Sequence, residues 1–251
     1  MLVLVPAFEP DDRLVRLVED LRQHLPEARV LVVDDGSGPA HEAFFSDAAA
    51  AGAQVLTQPE NRGKGAALKL GFAWAAEHAP GSPVTTADCD GQHTPVDIAR
   101  VAERVRPRTM VLGGRRFTGD VPLRSKVGNA ISRWAFRVVT GTPVHDTQTG
   151  LRGFAADLLP WLQEVEGERF EYEFNLLLQA RRAGVRVVEI PIATVYLDEN
   201  ESSHFRPVQD SLRTYAPLAR VAGSCLAGFA ALLAFVALAG RRIGAGRPPR
   251  P

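Results

Sequence analysis

Asp88 and Asp90 stand two residues apart in the stretch TTADCDGQH, residues 85–93, directly after the β-branched run Val84, Thr85, Thr86. If a strand ends at Ala87, the chain leaves a sheet edge with two carboxylates on a tight turn. Carboxylates that close repel each other unless a cation lies between them. A hard divalent ion with phosphate oxygens on its far side suits that geometry, because Mg²⁺ is commonly held by one or two carboxylates plus substrate phosphates. Gln92 adds a neutral oxygen on the same turn, and Thr94-Pro95 starts a helix just beyond. The bland alternative is a solvated Asp-rich loop that caps this helix, and a lone Asp-x-Asp does not separate the two. The position after a buried strand, and the turns upstream, do.

The elements that would position this turn alternate along the first half of the chain. Residues 2–5 read as a buried strand ended by Pro6. Asp11 and Asp12 can cap a helix in which Leu14, Val15, Leu17, Val18, Leu21 and Leu25 recur at helical spacing, stopped by Pro26. Residues 30–33 form a second buried strand, closed by Asp34-Asp35-Gly36-Ser37. A helix over 42–51, a strand over 54–57 and an Ala-rich helix from Asn61-Arg62-Gly63-Lys64-Gly65 to about His78 follow. After the acidic turn come a helix over 95–104 and a strand over 110–112. Strands alternating with helices predict a parallel sheet covered on both faces. In such sheets ligands bind outside the carboxyl ends of the strands. Each marked turn lies at such an end.

The second half is less regular. Gly113-Gly114-Arg115-Arg116 leads into a polar loop to Leu123, and Ile131, Trp134, Ala135 and Val138 mark a helix. A loop over 142–149 precedes Gly150-Leu151-Arg152-Gly153-Phe154. Residues 170–183 read as a helix and 185–190 as a strand ended by Pro191. Residues 200–206 read as a loop, and Val208, Leu212 and Tyr215 mark a short helix.

Composition narrows the classes. The 251 residues suffice for one large α/β domain or two small ones, with an ordinary apolar share of 45%. A formal net charge of zero argues against a general nucleic-acid binder. The two cysteines, Cys89 and Cys225, argue against a disulfide framework and a zinc site. Pro6 and Glu9 interrupt the first apolar run too early for a signal peptide, so the amino-terminal bulk is expected in the cytosol. The turn after the first strand, Pro6-Ala7-Phe8-Glu9, lacks the glycines of a dinucleotide fingerprint.

Taken together the turns resemble the family-2 glycosyltransferases of GT-A fold, and within them the polyprenyl-phosphate sugar transferases. VPAFEP matches the family's first strand and turn, although Glu9 and Pro10 replace the more usual Asn-Glu. LVVDDGS matches the second, NRGKGAAL the third and ADCDGQH the metal turn. HDTQTGLRGF matches the acceptor-side segment and SSHFRP a late basic loop. The resemblance covers about residues 1–216. It implies a mostly parallel sheet flanked by helices, a nucleotide diphosphate sugar donor, Mg²⁺ or Mn²⁺ held by Asp88, Asp90 and Gln92, and a polyprenyl phosphate acceptor, undecaprenyl phosphate in a bacterial source. Pro6, Ala7, Glu9 and Asp35 would line the nucleoside pocket, Asp35 accepting from ribose or base unless it forms an Asx turn. Asp34 would brace the strand end, and Arg62 and Lys64 would lie near the nucleotide. Asp146 and Gln148 would position the sugar or the loop. Glu173 is most simply a helix residue that could face the site. Cys89 carries no role.

Charge argues for the acceptor side. A lipid phosphate bears about −1.5 to −2 near neutral pH, with a second pKa of about 6, so it is already an oxyanion nucleophile. It needs cations to approach an anionic donor. Arg115, Arg124, Lys126, Arg152, His204 and Arg206 are the candidates.

Residues 221–240 contain no charged residue. About twenty apolar residues suffice to cross a bilayer as a helix, and a soluble core helix rarely lacks a polar face over that length. The expected organisation is therefore a catalytic domain over 1–205, an amphipathic interfacial helix over 206–220, a C-terminal membrane helix over 221–240 and a disordered basic tail over 241–251. Arginines flank the segment on both sides, so the positive-inside rule sets no clear orientation. A segment that dips in and returns, or pairs in a homo-oligomer, stays open. The expected activity is an inverting, metal-dependent hexose transfer to polyprenyl phosphate at the cytosolic membrane face. The alternatives are transfer to a soluble sugar or glycan, and a membrane-anchored binding module without catalysis.

Overall fold

The computed structural model describes residues 1–115 and 144–193. Their strands are β1 (Leu2–Ala7), β2 (Arg29–Asp34), β3 (Gln54–Thr57), β4 (Val84–Thr86), β5 (Thr109–Arg115), β6 (Arg152–Phe154) and β7 (Arg186–Ile192). Their helices are α1 (Asp12–His24), α2 (Glu42–Ala50), α3 (Lys64–His78), α4 (Pro95–Glu103), α5 (Leu159–Glu164) and α6 (Glu171–Ala180). The strands form one sheet in the order β3-β2-β1-β4-β6-β5-β7.

Sheet strands that are buried on both faces read as continuous apolar runs, and β1 and β2 do. Every residue of β1 is buried. Alternate side chains of these strands enter two different cores. Leu2, Leu4, Leu31 and Val33 pack with Leu68, Phe72 and Ala75 of α3, Leu162 of α5 and Leu177 of α6. Val3, Val5, Val30 and Val32 pack with Leu14, Leu17 and Leu21 of α1, Phe45 of α2 and Ile98 of α4. The caps follow from local chemistry. Asp11 accepts from the Arg13 N–H at the start of α1, and Thr94 accepts from the Asp97 N–H at the start of α4, with Pro95 in the first turn where its missing N–H costs nothing.

The second half differs from expectation in four places. The sheet is mostly parallel, as the resemblance implies, but mixed: β6 runs antiparallel to both neighbours, β4 and β5, while the remaining pairs are parallel. This three-residue strand is too short to show a period, and α5 was not foreseen either. β5 continues to Arg115, and β7 continues through Pro191 to Ile192. Proline is tolerated there because β7 is an edge strand, where one row of backbone groups needs no ladder partner. The expected segments over 206–220, 221–240 and 241–251 lie outside the described residues. Among the described residues no helix is long and apolar enough to cross a membrane.

Reversal of β6 has a direct consequence for position. Its first residue, Arg152, pairs with the last residue of β4, Thr86, and with Leu112 in β5, so the chain entering β6 comes from the end of the sheet where β4 and β5 finish. The segment 144–151 that leads into β6 is thereby brought to the edge that carries Asp88. Thr86 Oγ1 ties the two together by donating to the Gly150 carbonyl at 2.8 Å.

Phe72 of α3 and Phe154 of β6 meet edge to face, with centroids 5.4 Å apart and planes at 77°, and both are fully buried. Phe72→Ala is therefore expected to cost about 3–5 kcal/mol of stability, the usual range for deleting a buried aromatic side chain. Urea unfolding of the two proteins measures it, and a loss below about 1 kcal/mol would mean that β6 is not seated on α3 as described.

Candidate active site

The carboxyl ends of β1, β2 and β4 converge. Asp35 N–H donates to the Ala7 carbonyl, and Ala87 N–H donates to the Leu4 carbonyl. Pro6 and Ala7 are buried at the end of β1, and Glu9 is exposed just beyond it. Glu9 takes a left-handed φ of 48°, and its N–H donates to Ser37 Oγ at 2.8 Å, which joins the first turn to the second. Asp34 braces its own strand end as expected, accepting from the Ser37 N–H at 2.8 Å.

Asp35 is turned toward the third motif. Its Oδ1 accepts from Gln58 Nε2 at 3.0 Å and from the Arg62 N–H at 2.9 Å, and its Oδ2 accepts from the Gly63 N–H at 2.7 Å. Burial raises its pKa, and the two backbone N–H groups offset part of that. The carboxylate thus holds the 61–63 segment against the sheet. Gly63 has a φ of 109°, and a Cβ there would lie 2.4 Å from Arg169 Cγ, so no larger residue fits this turn. Arg62 itself is exposed and pairs with Glu168 at 2.5 Å.

Lys64 begins α3, and its ammonium lies 2.7 Å from Asp88 Oδ1 and 2.8 Å from Glu173 Oε2. Burial alone would raise the Asp88 pKa, but Lys64 and His93 hold it well below the usual carboxylate range. His93 was not foreseen as a site residue. It is buried, its Nε2 donates toward Asp88 Oδ2 at 3.4 Å, and its Nδ1 has no hydrogen-bond partner. Its place on the acidic turn was the only sequence signal. Asp90 is shifted the other way: burial and then the neighbouring Asp88 raise it. Its Oδ1 accepts from the Gln92 N–H at 3.0 Å, which closes the turn. Burial and the two flanking carboxylates push the Cys89 thiol up to about 12, so it is an unreactive thiol.

Of the two carboxylates on this turn, Asp88 is already favoured in its charged form by Lys64 and His93, which leaves Asp90 as the one that gains from a further cation. Space at Asp88 is kept by Gly150, where a Cβ would fall 2.3 Å from Asp88 Oδ2. Among the described residues no three His, Cys, Asp or Glu side chains gather into a complete metal cage. The donor set fits a hard divalent ion whose remaining ligands are phosphate oxygens and water.

On the other side of the turn, Arg115 ends β5. Its Nε donates to Asp146 Oδ2 at 2.7 Å, and Asp146 is buried. Burial would lower the Arg115 pKa, but Asp146 raises it, with smaller contributions from Asp88 and Asp90. Asp146 therefore fixes a guanidinium that feels both carboxylates of the acidic turn. Asp146 is held in turn by Glu189 of β7, whose carboxylate accepts from the His145 and Asp146 N–H groups, each at 2.8 Å. Gln148 is exposed on the same loop, and its N–H donates to Asp146 Oδ1 at 3.1 Å.

Arg152 stands elsewhere than its motif suggested. It is 1% exposed. Strand alternation in β6 places it on the same face as Phe154, toward α6. Its Nε donates to the Thr149 carbonyl, Nη1 to the Glu173 carbonyl and Nη2 to the Thr147 carbonyl, at 2.9, 2.6 and 3.3 Å. A guanidinium so engaged in the interior is a brace beneath the 147–149 loop, not a cation offered to an acceptor phosphate. Glu173 does face the site, through Lys64. Arg124, Lys126, His204 and Arg206 lie outside the described residues.

The profile of glycosyl transferase family 2 matches residues 2–157, and the chain belongs to this family. It is a glycosyltransferase, and its fold is the GT-A α/β arrangement with a mixed sheet. The chain is 30% identical over 211 residues to an undecaprenyl-phosphate mannosyltransferase of Micrococcus luteus, covering 80% of this chain and 86% of that protein. It is 27% identical over 205 residues to a polyprenol monophosphomannose synthase of Mycolicibacterium smegmatis, covering 76% of each. Among solved structures it resembles glucosyl-3-phosphoglycerate synthase of Mycobacterium tuberculosis in complex with Mg²⁺ and UDP, with a TM-score of 0.63 and 17% identity over 89% of this chain and 78% of that one.

Arg152→Ala is expected to cost about 3–5 kcal/mol, because it breaks a buried row of charges, leaving Glu173 with Lys64 alone, and takes the donor from three buried carbonyls. Urea denaturation should show the lower midpoint, and any loss of affinity in the folded fraction should fall on nucleotide sugar and lipid phosphate alike. A variant of normal stability that loses lipid phosphate binding alone would return Arg152 to the acceptor side.

Proposed function

We propose that this enzyme transfers a hexose, with inversion, from a UDP- or GDP-sugar to a polyprenyl phosphate on the cytoplasmic side of the cell membrane. The observation that carries the reading is the order of charge along one sheet edge. An anionic turn, Asp88 and Asp90, is flanked by Lys64 on one side and by Arg115, held by Asp146, on the other. A reaction between two phosphate-bearing substrates needs such an alternation, since each substrate repels the other.

In this reading Pro6, Ala7 and Glu9 line the nucleoside pocket. Asp35 serves it indirectly by fixing the loop that carries Arg62 and Lys64, and its Oδ2, which accepts from the Gly63 N–H, has capacity for one more bond. Asp88, Asp90 and the Gln92 side chain hold Mg²⁺ or Mn²⁺, which as a Lewis acid takes up charge developing on the leaving nucleoside diphosphate. The M. tuberculosis fold relative was solved with Mg²⁺ and UDP, which supports a divalent ion accompanying the nucleotide. Arg115 faces the acceptor phosphate in an orientation fixed by Asp146. That phosphate is already an anion, so no strong general base is required. Arg124, Lys126, His204 and Arg206 would add positive charge on the acceptor side. The polyprenol-linked activities named for the M. luteus and M. smegmatis relatives support the acceptor class. Residues 221–240 would then keep the site within reach of a phosphate whose hydrocarbon chain stays in the bilayer.

The direct test incubates the purified protein with polyprenyl phosphate and a panel of UDP- and GDP-sugars, followed by analysis of the lipid product. A glycosylated polyprenyl phosphate from one donor is expected, and transfer only to soluble sugars would overturn the acceptor assignment. Asp90→Ala should reduce transfer to background and abolish metal-dependent nucleotide binding, with an unchanged circular dichroism spectrum. Turnover retained by Asp90→Ala would sink the metal assignment.

A second test truncates the chain before residue 216. The expected product binds nucleotide and metal without detergent but uses long-chain lipid phosphate poorly. If full-length protein is soluble without detergent and the truncated chain unfolds, residues 221–240 belong to the core.

A further inference from the structure

Asp88 already has a cation. Lys64 Nζ lies 2.7 Å from its Oδ1 in a side chain only 16% exposed. Behind Lys64 stands Glu173 at 2.8 Å, and behind Glu173 stands Arg152, whose Nε is 3.7 Å from Glu173 Oε1. A row of alternating charges therefore runs from the sheet edge inward: Asp88, Lys64, Glu173, Arg152. The inner end is immobile, because Arg152 is buried and donates to three carbonyls. The outer end is more open, Asp88 being 31% exposed. Lys64 is the one member whose long stem lets it move between partners.

A divalent ion approaching Asp88 alone meets an ammonium on the same oxygen. Like charges at such separation repel strongly away from bulk water. If Lys64 withdraws with nothing to replace Asp88, a buried ammonium keeps only Glu173, which it shares with Arg152. A nucleoside diphosphate changes both conditions. It brings oxygens for the metal, and it brings negative charge that Lys64 can turn to without leaving Glu173.

Resting on the metal reading above, we propose that Lys64 is a counter-ion latch. It neutralises Asp88 in the unliganded enzyme and releases it when the metal arrives together with a nucleoside diphosphate. Metal and nucleotide then bind as one unit, and Glu173 is the positioning residue that keeps Lys64 within reach of both partners. Resting enzyme in a metal-rich cytosol is thereby kept from filling its site with a bare ion.

The test is Mn²⁺ binding, followed by electron paramagnetic resonance of the free ion, on full-length protein in detergent with and without UDP or GDP. Wild type should bind Mn²⁺ alone weakly and gain about tenfold or more when its nucleotide is present, within the usual range of coupling between two sites. Lys64→Met should bind Mn²⁺ alone about tenfold more tightly than wild type and gain little from nucleotide. Glu173→Gln should shift the opposite way, since Lys64 then relies on Asp88 alone: weaker Mn²⁺ binding without nucleotide, and a larger gain with it. This second variant carries the test if Lys64→Met does not fold. Mn²⁺ affinity unchanged in either variant, or weakened in Lys64→Met, overturns the latch while leaving the metal site in place. Wild type that binds no Mn²⁺ even with UDP and GDP overturns the metal reading itself, and the latch with it.

Discussion

Glu173 sits between two cations in the interior, and much of the site depends on that arrangement. Removing an ion from water costs several kcal/mol, and the cost is recovered only when opposite charges and hydrogen bonds surround it. Glu173 meets Lys64 at 2.8 Å on one side and approaches Arg152 on the other. Lys64 would be costly without Asp88 and Glu173, and Arg152 would be costly without the carbonyls of Thr147, Thr149 and Glu173. Each charge is acceptable only because the next is in place. The row therefore couples the start of α3, the acidic turn after β4, the loop before β6 and the start of α6 into one unit.

The reversed strand makes that unit geometrically feasible. A parallel strand at the position of β6 would send the 144–151 segment to the opposite edge of the sheet. Running antiparallel, β6 delivers Asp146 to Arg115 and Gly150 to Asp88 at the edge where β1, β2 and β4 end. Glu189 on the edge strand β7 then clamps the backbone of the same loop. Gly114 lies beneath this clamp, where a Cβ would fall 2.3 Å from the Glu189 carboxylate. A glycine in β5 is thus the condition for Glu189 to reach the loop, and through Asp146 for Arg115 to hold its orientation.

The two carboxylates of the turn behave differently because their neighbours differ. Asp88 has Lys64 and His93 beside it, and its negative form is favoured. Asp90 has burial and Asp88 against it, and its negative form is disfavoured. One carboxylate is already satisfied by the protein, and the other still lacks positive charge. Such a turn gains from a cation that arrives with anionic ligands of its own more than from a bare one.

The sequence by itself determined the first half of the molecule. Apolar runs at residues 2–5 and 30–33, the caps at Asp11 and Thr94 and the turns at Asp34-Asp35, Asn61–Gly65 and Asp88–Gln92 are all local features. Period, capping and turn chemistry act over a few residues, so they can be read without knowing the fold. The motifs HDTQTG and GLRGF were likewise visible as segments. Their roles were not, because these depend on strand direction and on which face a side chain takes. Arg152 shows the difference: as a residue in a basic motif it reads as an acceptor cation, but a three-residue antiparallel strand turns it inward to Glu173. His93 and Glu173 had no local signal stronger than that of any histidine on a turn or glutamate on a helix. The turn already placed His93 near Asp88, but only the tertiary structure turned its ring inward and brought Glu173 to Lys64, because opposite charges far apart in sequence must find each other once folding removes them from water.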